Sequence, residues 1–365
     1  MIPETVDCIR ALTRLEPDGA IHREDGTRPP RDYPRLPVSD EVDLATLECR
    51  MRPIALILVP LDGSPFSEQA LPFALDIAGA HGATVELVHI QVPAPRAYNA
   101  PAYDTSFDRD QRAERGRWLA ALGERLAGER NQPVNSVFLD GEVGATLATH
   151  IASRRPDLLV MATHGRGGLS RAWLGSVADW LVRHLTVPLF LVRPAHEAGA
   201  LQHWTPHRVL IPLDGSELAE AVLEPATVLG TPGETEYLLM TAVPPVGLTS
   251  GDAVIARQAS KRSDDQPAEA DRAAAANYLG RVAEDLRGRG FAVRIHVAIH
   301  AHPGHAILDY ANEIGPDLIA LATRGQSGLA RLLLGSVADK VVRGAAVPVL
   351  VIAPLQSPPE PGPTG

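Results

Sequence analysis

One segment of the chain is written twice. "ATHGRGGLSRAWLGS" (Ala162–Ser176) returns as "ATRGQSGLARLLLGS" (Ala322–Ser336), with nine of fifteen positions identical. A long-period repeat restricts the fold more than any composition does. The flanks repeat as well. "ALILVPLDGS" (Ala55–Ser64) matches "RVLIPLDGS" (Arg208–Ser216), "RPDLLVMATHG" (Arg155–Gly165) matches "GPDLIALATRG" (Gly315–Gly325), and "VPLFLVRP" (Val187–Pro194) matches "VPVLVIAP" (Val347–Pro354). The offset is 152 residues at the first pair and 160 at the later ones, so the second copy holds about eight extra residues. They are expected between its second strand and the following helix. Each copy is a domain rather than a solenoid unit, since it runs to about 145 residues. The expected division is an irregular extension over 1–51, a first domain over 52–194, a linker over 195–205, a second domain over 206–354 and a disordered tail over 355–365.

Within a copy, apolar runs alternate with helical spacing. Ile54–Pro60 is continuously apolar, as suits a strand buried on both faces. Ser64 then caps a helix with Pro65 at its first position. Leu71, Leu75 and Ala78 carry the helical spacing, and Gly79 and Gly82 are read as its stop. "TVELVHI", "NSVFLD", "DLLVMAT" and "PLFLVR" are four more strands. Helices are expected around Arg112–Arg130, over "GATLATHIASR" and over "GSVADWLVRHL". Strand and helix in alternation, with apolar strands, give an α/β fold: a parallel sheet with helices on both faces, made twice.

Composition narrows the function classes. The formal net charge is −10, with no dense Lys/Arg run, so neither nucleic acid nor an anionic membrane surface is an expected partner. Any phosphate must be held by local groups. The two cysteines, Cys8 and Cys49, form no disulfide framework or cysteine zinc site. The first residues show no apolar signal core, and no run of eighteen apolar residues exists; a cytoplasmic setting is the expectation.

In such sheets ligands bind beyond the carboxyl ends of the strands. Asp62 and Asp214 end the first strands; Gly175-Ser176 and Gly335-Ser336 open the last helices. A helix that starts on Gly-Ser offers unpaired N–H groups and a hydroxyl at its positive end, an anion site that needs no lysine. Gly165 and Gly325 permit a close backbone approach. A carboxylate at a strand end can accept from ribose hydroxyls. Together these suit a nucleoside phosphate. Each part alone is commonly a turn or a cap. No Walker A spacing occurs, and Ser170 breaks a G-x-G-x-x-G reading.

These residues resemble the universal stress protein family in its tandem form. "LDGS" at the first strand and Gly-x2-Gly-x9-Gly-Ser after the fourth carry the resemblance, which covers both copies but not the first fifty residues. It implies a five-stranded parallel sheet of order 3-2-1-4-5 in each copy. It also implies a nucleotide ligand, ATP or AMP or ADP, with Mg²⁺ as companion, and a role in stress adaptation. On that resemblance the contacts would be Asp62, Ser64, Gly165, Arg166, Gly168, Gly175, Ser176 and Val177, and Asp214, Ser216, Gly325, Gly328, Gly335, Ser336 and Val337. The family is not usually one of enzymes, although weak ATP hydrolysis or autophosphorylation occurs in some members. A nucleotide-free interaction scaffold and a weak ATPase or phosphotransferase are the alternatives. Ala162 and Ala322 stand where the family motif has its first glycine; a left-handed backbone there would shift the loop.

Three further features bear on chemistry. His164 becomes Arg324 in the second copy, which argues against a shared catalytic base. His296, His300 and His302 would share one face if their strand ran on, and His300, His302 and His305 are metal-ligand types; a solvated edge strand is the favoured reading. The apolar final strands would leave sheet edges open, so the copies are expected to pair there as an internal pseudo-dimer, with a homodimer as a further option.

Overall fold

The computed structural model describes residues 54–92, 105–163, 175–184, 187–194, 203–245, 265–323 and 335–352. The expected extension over 1–51 and the tail over 355–365 lie outside them, as do His164, Gly165, Arg166, Gly168, Arg324, Gly325 and Gly328.

The first half runs β1 (Leu56–Pro60), α1 (Pro65–Glu68), α2 (Leu71–His81), β2 (Thr84–Gln91), α3 (Thr105–Arg130), β3 (Val134–Asp140), α4 (Val143–Arg154), β4 (Leu158–Ala162), α5 (Ser176–His184) and β5 (Leu189–Val192). The second runs β6 (Arg208–Pro212), α6 (Glu217–Glu220), α7 (Leu223–Leu229), β7 (Glu236–Val243), α8 (Asp265–Gly288), β8 (Ala292–Ile299), α9 (Pro303–Ile314), β9 (Leu318–Ala322), α10 (Ser336–Gly344) and β10 (Val349–Ile352).

Local chemistry accounts for most of the boundaries. Ser64 accepts the Ser67 N–H at 3.2 Å and Pro65 opens α1, as its sequence indicates. That helix lasts one turn, and the chain restarts as α2. Gly79 lies inside α2, which ends instead at Gly82, whose φ of +67° makes the left-handed cap. An interior glycine costs only about 1 kcal/mol, too little to stop a helix that buries Leu71, Phe73, Ala74, Leu75, Ile77 and Ala78. α3 begins at Thr105, earlier than expected. The ladder pairs Val85 with Val134 and Tyr237 with Val293, so seven of the eight extra residues precede β8 and the eighth lies in the turn before α9.

The strands form a single ten-stranded sheet of order β3-β2-β1-β4-β5-β10-β9-β6-β7-β8. Each half is parallel with the order 3-2-1-4-5. The halves meet as β5 and β10, antiparallel, with Phe190 opposite Leu350. The apolar final strands thus cover one another, and the two halves make an internal pseudo-dimer. Two cores lie on opposite faces. One gathers Phe73, Leu119, Leu126, Ala226 and Leu286 under α2, α3, α7 and α8. The other gathers Leu147, Leu181, Ile307 and Val341 under α4, α5, α9 and α10.

Polar groups reinforce the seam. Arg343 of α10 donates to Asp179 of α5 at 3.2 Å and to Asp339 at 2.9 Å, and Arg193 donates to the Ala345 carbonyl at 2.9 Å. The residues just before β6 dock on the first half. Trp204 packs its ring 5.6 Å from Phe73 and 5.2 Å from Phe190, and its backbone N–H donates to Asp76 at 2.7 Å. Arg130 donates to the same carboxylate at 2.9 Å.

Candidate functional site

The two first strands end in the same turn. Leu61 N–H bonds to the Val88 carbonyl and Leu213 N–H to the Met240 carbonyl, both at 2.8 Å, which carries each chain one residue past its strand. Gly63 and Gly215 then take φ of +78° and +84°, a region closed to most side chains. The turn brings Asp62 back to accept the Ser64 N–H at 2.9 Å and Asp214 to accept the Ser216 N–H at 3.0 Å and its hydroxyl at 2.6 Å. "LDGS" is therefore an Asx turn running into a serine cap, and its carboxylate is fixed at the carboxyl end of the sheet. Tyr278 of α8 stands near this turn. Burial, then Glu220 and Asp214, push its hydroxyl well above the ordinary phenol range, so it remains a donor.

The fourth strands end in a second matched arrangement. Thr163 and Thr323 each take the carbonyl of the last strand, Val192 and Ile352, at 2.8 Å. Their own carbonyls accept the N–H of Gly175 at 2.7 Å and of Gly335 at 2.8 Å. This bond returns the chain from the loop and sets the start of α5 and α10 against the strand ends. Gly335 is the N-cap of α10 and makes no side-chain cap, so the helix opens without a serine or aspartate on its first N–H groups. Ser336 is exposed there.

In the second half these parts enclose a cavity of about 290 Å³. Its polar wall is Asp214, Thr323, Gly335 and Ser336; its apolar wall is Met240, Ala242, Pro303, Ile307 and Leu321. The sequence placed Asp214, Gly335, Ser336 and Val337 here, and the structure brings these four together. Ser216 caps α6 instead, accepting the Ala219 N–H at 3.1 Å. The apolar wall escaped the sequence reading. Those residues come from β7, β9 and the first two turns of α9, and they share no motif.

Ala162 and Ala322 close their strands in extended conformation, and neither has positive φ. The motif position needs no left-handed backbone, so alanine is unstrained. Ala322 itself lines the cavity.

The histidines part company. β8 ends at Ile299, so His296 and His300 do not continue one face. His296 stacks on Tyr310 at 4.0 Å, and burial lowers its pKa. His300 accepts the His302 N–H on Nδ1 at 2.9 Å. The rings of His300, His302 and His305 stand 5.7–6.4 Å apart. Among the described residues no group of three or more His, Cys, Asp or Glu is arranged to hold a metal ion. No helix among them is long and apolar enough to cross a membrane.

The universal stress protein family pattern matches this chain twice, over residues 55–193 and 206–353. A universal stress protein of Mycolicibacterium smegmatis is 25% identical over 316 residues, 82% of this chain and 97% of its own length. A universal stress protein of Thermus aquaticus is 30% identical over 137 residues, 38% of this chain and 97% of its own. The crystal structure of a universal stress protein from Archaeoglobus fulgidus superposes with a TM-score of 0.57 at 19% identity, covering 82% of this chain and 98% of that one; the likeness is one of fold.

Proposed function

The chain belongs to the universal stress protein family in tandem form, and from that premise we propose that it binds ATP or a related nucleotide at the carboxyl edge of its sheet and acts in stress adaptation as a binder rather than an enzyme. The functional units would be the halves 52–194 and 206–354, joined at β5 and β10. One observation carries the reading: an apolar slot, a strand-end carboxylate and an uncapped helix start face one cavity. Met240, Ile307 and Leu321 suit the flat face of a base. Asp214 suits ribose hydroxyls, as acidic strand ends do in dinucleotide folds. Gly335, Ser336 and Val337 suit a phosphate at the positive end of α10. The cavity volume is close to the lower end of small-ligand sites, about 300 Å³.

The acidic chain gives no long-range attraction to an anion, so affinity would come from these few close groups. Mg²⁺ would arrive on the phosphates, since that ion usually keeps substrate phosphates and waters among its ligands. Gly165, Arg166, Gly168, Gly325 and Gly328 are the remaining contact residues that the family resemblance suggests. Calorimetry with ATP and Mg²⁺ on the purified chain tests the reading. Saturable heat with no phosphate release over hours is expected. An absence of heat at millimolar ATP would remove nucleotide binding, and steady phosphate release would make the protein an ATPase.

A further inference from the structure

We propose that the Thr323 hydroxyl is a further ligand contact in the second-half cavity, donating to the phosphate that sits on the start of α10; this rests on the nucleotide reading above. Thr323 directly follows β9 and lines the cavity beside Asp214, Gly335 and Ser336. It is only 4% exposed, the same as Leu321. It lies two residues beyond Leu321 and therefore on the same face of the sheet, the face that α9 and α10 cover. Both of its backbone groups are engaged. Its N–H donates to the Ile352 carbonyl and its carbonyl accepts the Gly335 N–H, each at 2.8 Å. Its hydroxyl is different: among the described residues it takes no hydrogen-bond partner.

A buried hydroxyl is normally hydrogen-bonded, because leaving water without a replacement costs free energy. In a cavity wall that cost is offset when a ligand supplies the partner. The placement of Thr323 selects which part of the ligand does so. The bond from Gly335 to the Thr323 carbonyl sets this residue against the first turn of α10, where uncapped N–H groups and the helix dipole favour an anion. Asp214, the group suited to ribose, reaches the cavity from the turn after β6. A hydroxyl donates to a phosphate oxygen without the repulsion that a carboxylate would bring. Threonine is also β-branched and keeps few side-chain rotamers, so its hydroxyl is oriented before the ligand arrives. The hydroxyl thus serves the ligand and adds nothing to the unliganded fold. Its removal strands no partner, so the free chain should be at least as stable without it.

Two variants of the full chain test this. Thr323→Val keeps the branched shape and removes the hydroxyl; Thr323→Ser keeps the hydroxyl and removes the methyl group. Adenosine, AMP and ATP are titrated into each protein by calorimetry, and each is melted without ligand. Thr323→Val is expected to melt no lower than wild type and to bind AMP and ATP about ten- to hundredfold more weakly, the size of a hydrogen bond to a charged group. Its affinity for adenosine is expected to be unchanged, and Thr323→Ser is expected to bind AMP as wild type does. Where both halves bind, the loss is expected at one of the two sites. Unchanged AMP affinity in Thr323→Val, an equal loss for adenosine, or a loss that Thr323→Ser shares would overturn the proposal while leaving nucleotide binding intact. So would an early melt of Thr323→Val, since the hydroxyl would then hold the fold. No heat with AMP or ATP in wild type would instead remove the nucleotide reading itself.

Discussion

Gly335→Ala is the substitution for which the structure sets the expected size most directly. Gly335 has φ −59° and ψ 146°, which any residue can adopt, so the backbone conformation costs nothing. The obstacle is the Thr323 carbonyl. It accepts the Gly335 N–H at 2.8 Å, and a Cβ on residue 335 would lie 2.8 Å from the same oxygen. Carbon–oxygen contacts usually begin at about 3.3 Å, so the start of α10 must move by roughly half an ångström. Moves of that order spoil a preorganised site. A hydrogen bond to a charged group contributes about 1.5–3 kcal/mol, and 1.4 kcal/mol is tenfold in affinity. ATP affinity should therefore fall by about ten- to hundredfold. Stability should fall as well, by about 1–3 kcal/mol for a clash that the fold must absorb. Calorimetry and a urea melt on the same preparation separate the two effects. A variant that melts early yet binds ATP within about twofold of wild type would refute the reasoning: the helix start would have moved without mattering to the ligand.

Three other outcomes are expected. Phe190→Ala should cost about 3–5 kcal/mol in urea unfolding and alter the near-ultraviolet signal of Trp204, because Phe190 is fully buried between Phe73, Trp204 and the opposite strand; a loss under about 1 kcal/mol would argue against a shared seam. Glu86, 2% exposed, accepts from His150 at 2.7 Å and from Arg154 at 3.0 Å, and the second half has Leu238, Tyr310 and Ile314 at these positions. Glu86→Leu alone should cost about 1–3 kcal/mol by stranding its partners. The triple change Glu86→Leu, His150→Tyr, Arg154→Ile should recover most of that loss in the same melt, since apolar replacement of a whole buried ionic group is often neutral. Burial lowers the pKa of His296 below its unfolded value, so its contribution to stability is present above about pH 6.5 and lost as pH falls from there through the lower folded value. Glu313 opposes that shift and Arg272 adds to it. His296→Phe should lose less stability than wild type between about pH 7.5 and pH 5.5; an identical pH dependence would mean that the imidazole charges freely in the fold.

Features made by neighbours in the chain are legible in the amino-acid sequence alone. The repeat, the alternation of strand and helix, and the "LDGS" and Gly-Ser positions can all be placed from it. Each depends on a short-range requirement: an apolar run for a buried strand, a positive φ at Gly63 and Gly215, and a serine to cap the next helix. The same local reasoning misjudges Gly79, where burial of the surrounding helix outweighs a glycine's intrinsic cost. It also projects β8 past Ile299, because nothing nearby in sequence marks the end of a ladder whose partner strand ends at Val243.

What joins distant parts of the chain appears only in the tertiary structure. The sequence points to pairing of the final strands, and the fold decides its register, Phe190 opposite Leu350, and the docking of Trp204 across it. It also decides that Ala322 sits in unstrained extended backbone, which removes the question raised by the missing motif glycine. The slot itself is the clearest case. Met240, Ala242, Ile307 and Leu321 come from three elements and carry no motif. A cavity is the volume left between side chains brought together by folding, so no single stretch of sequence can specify it.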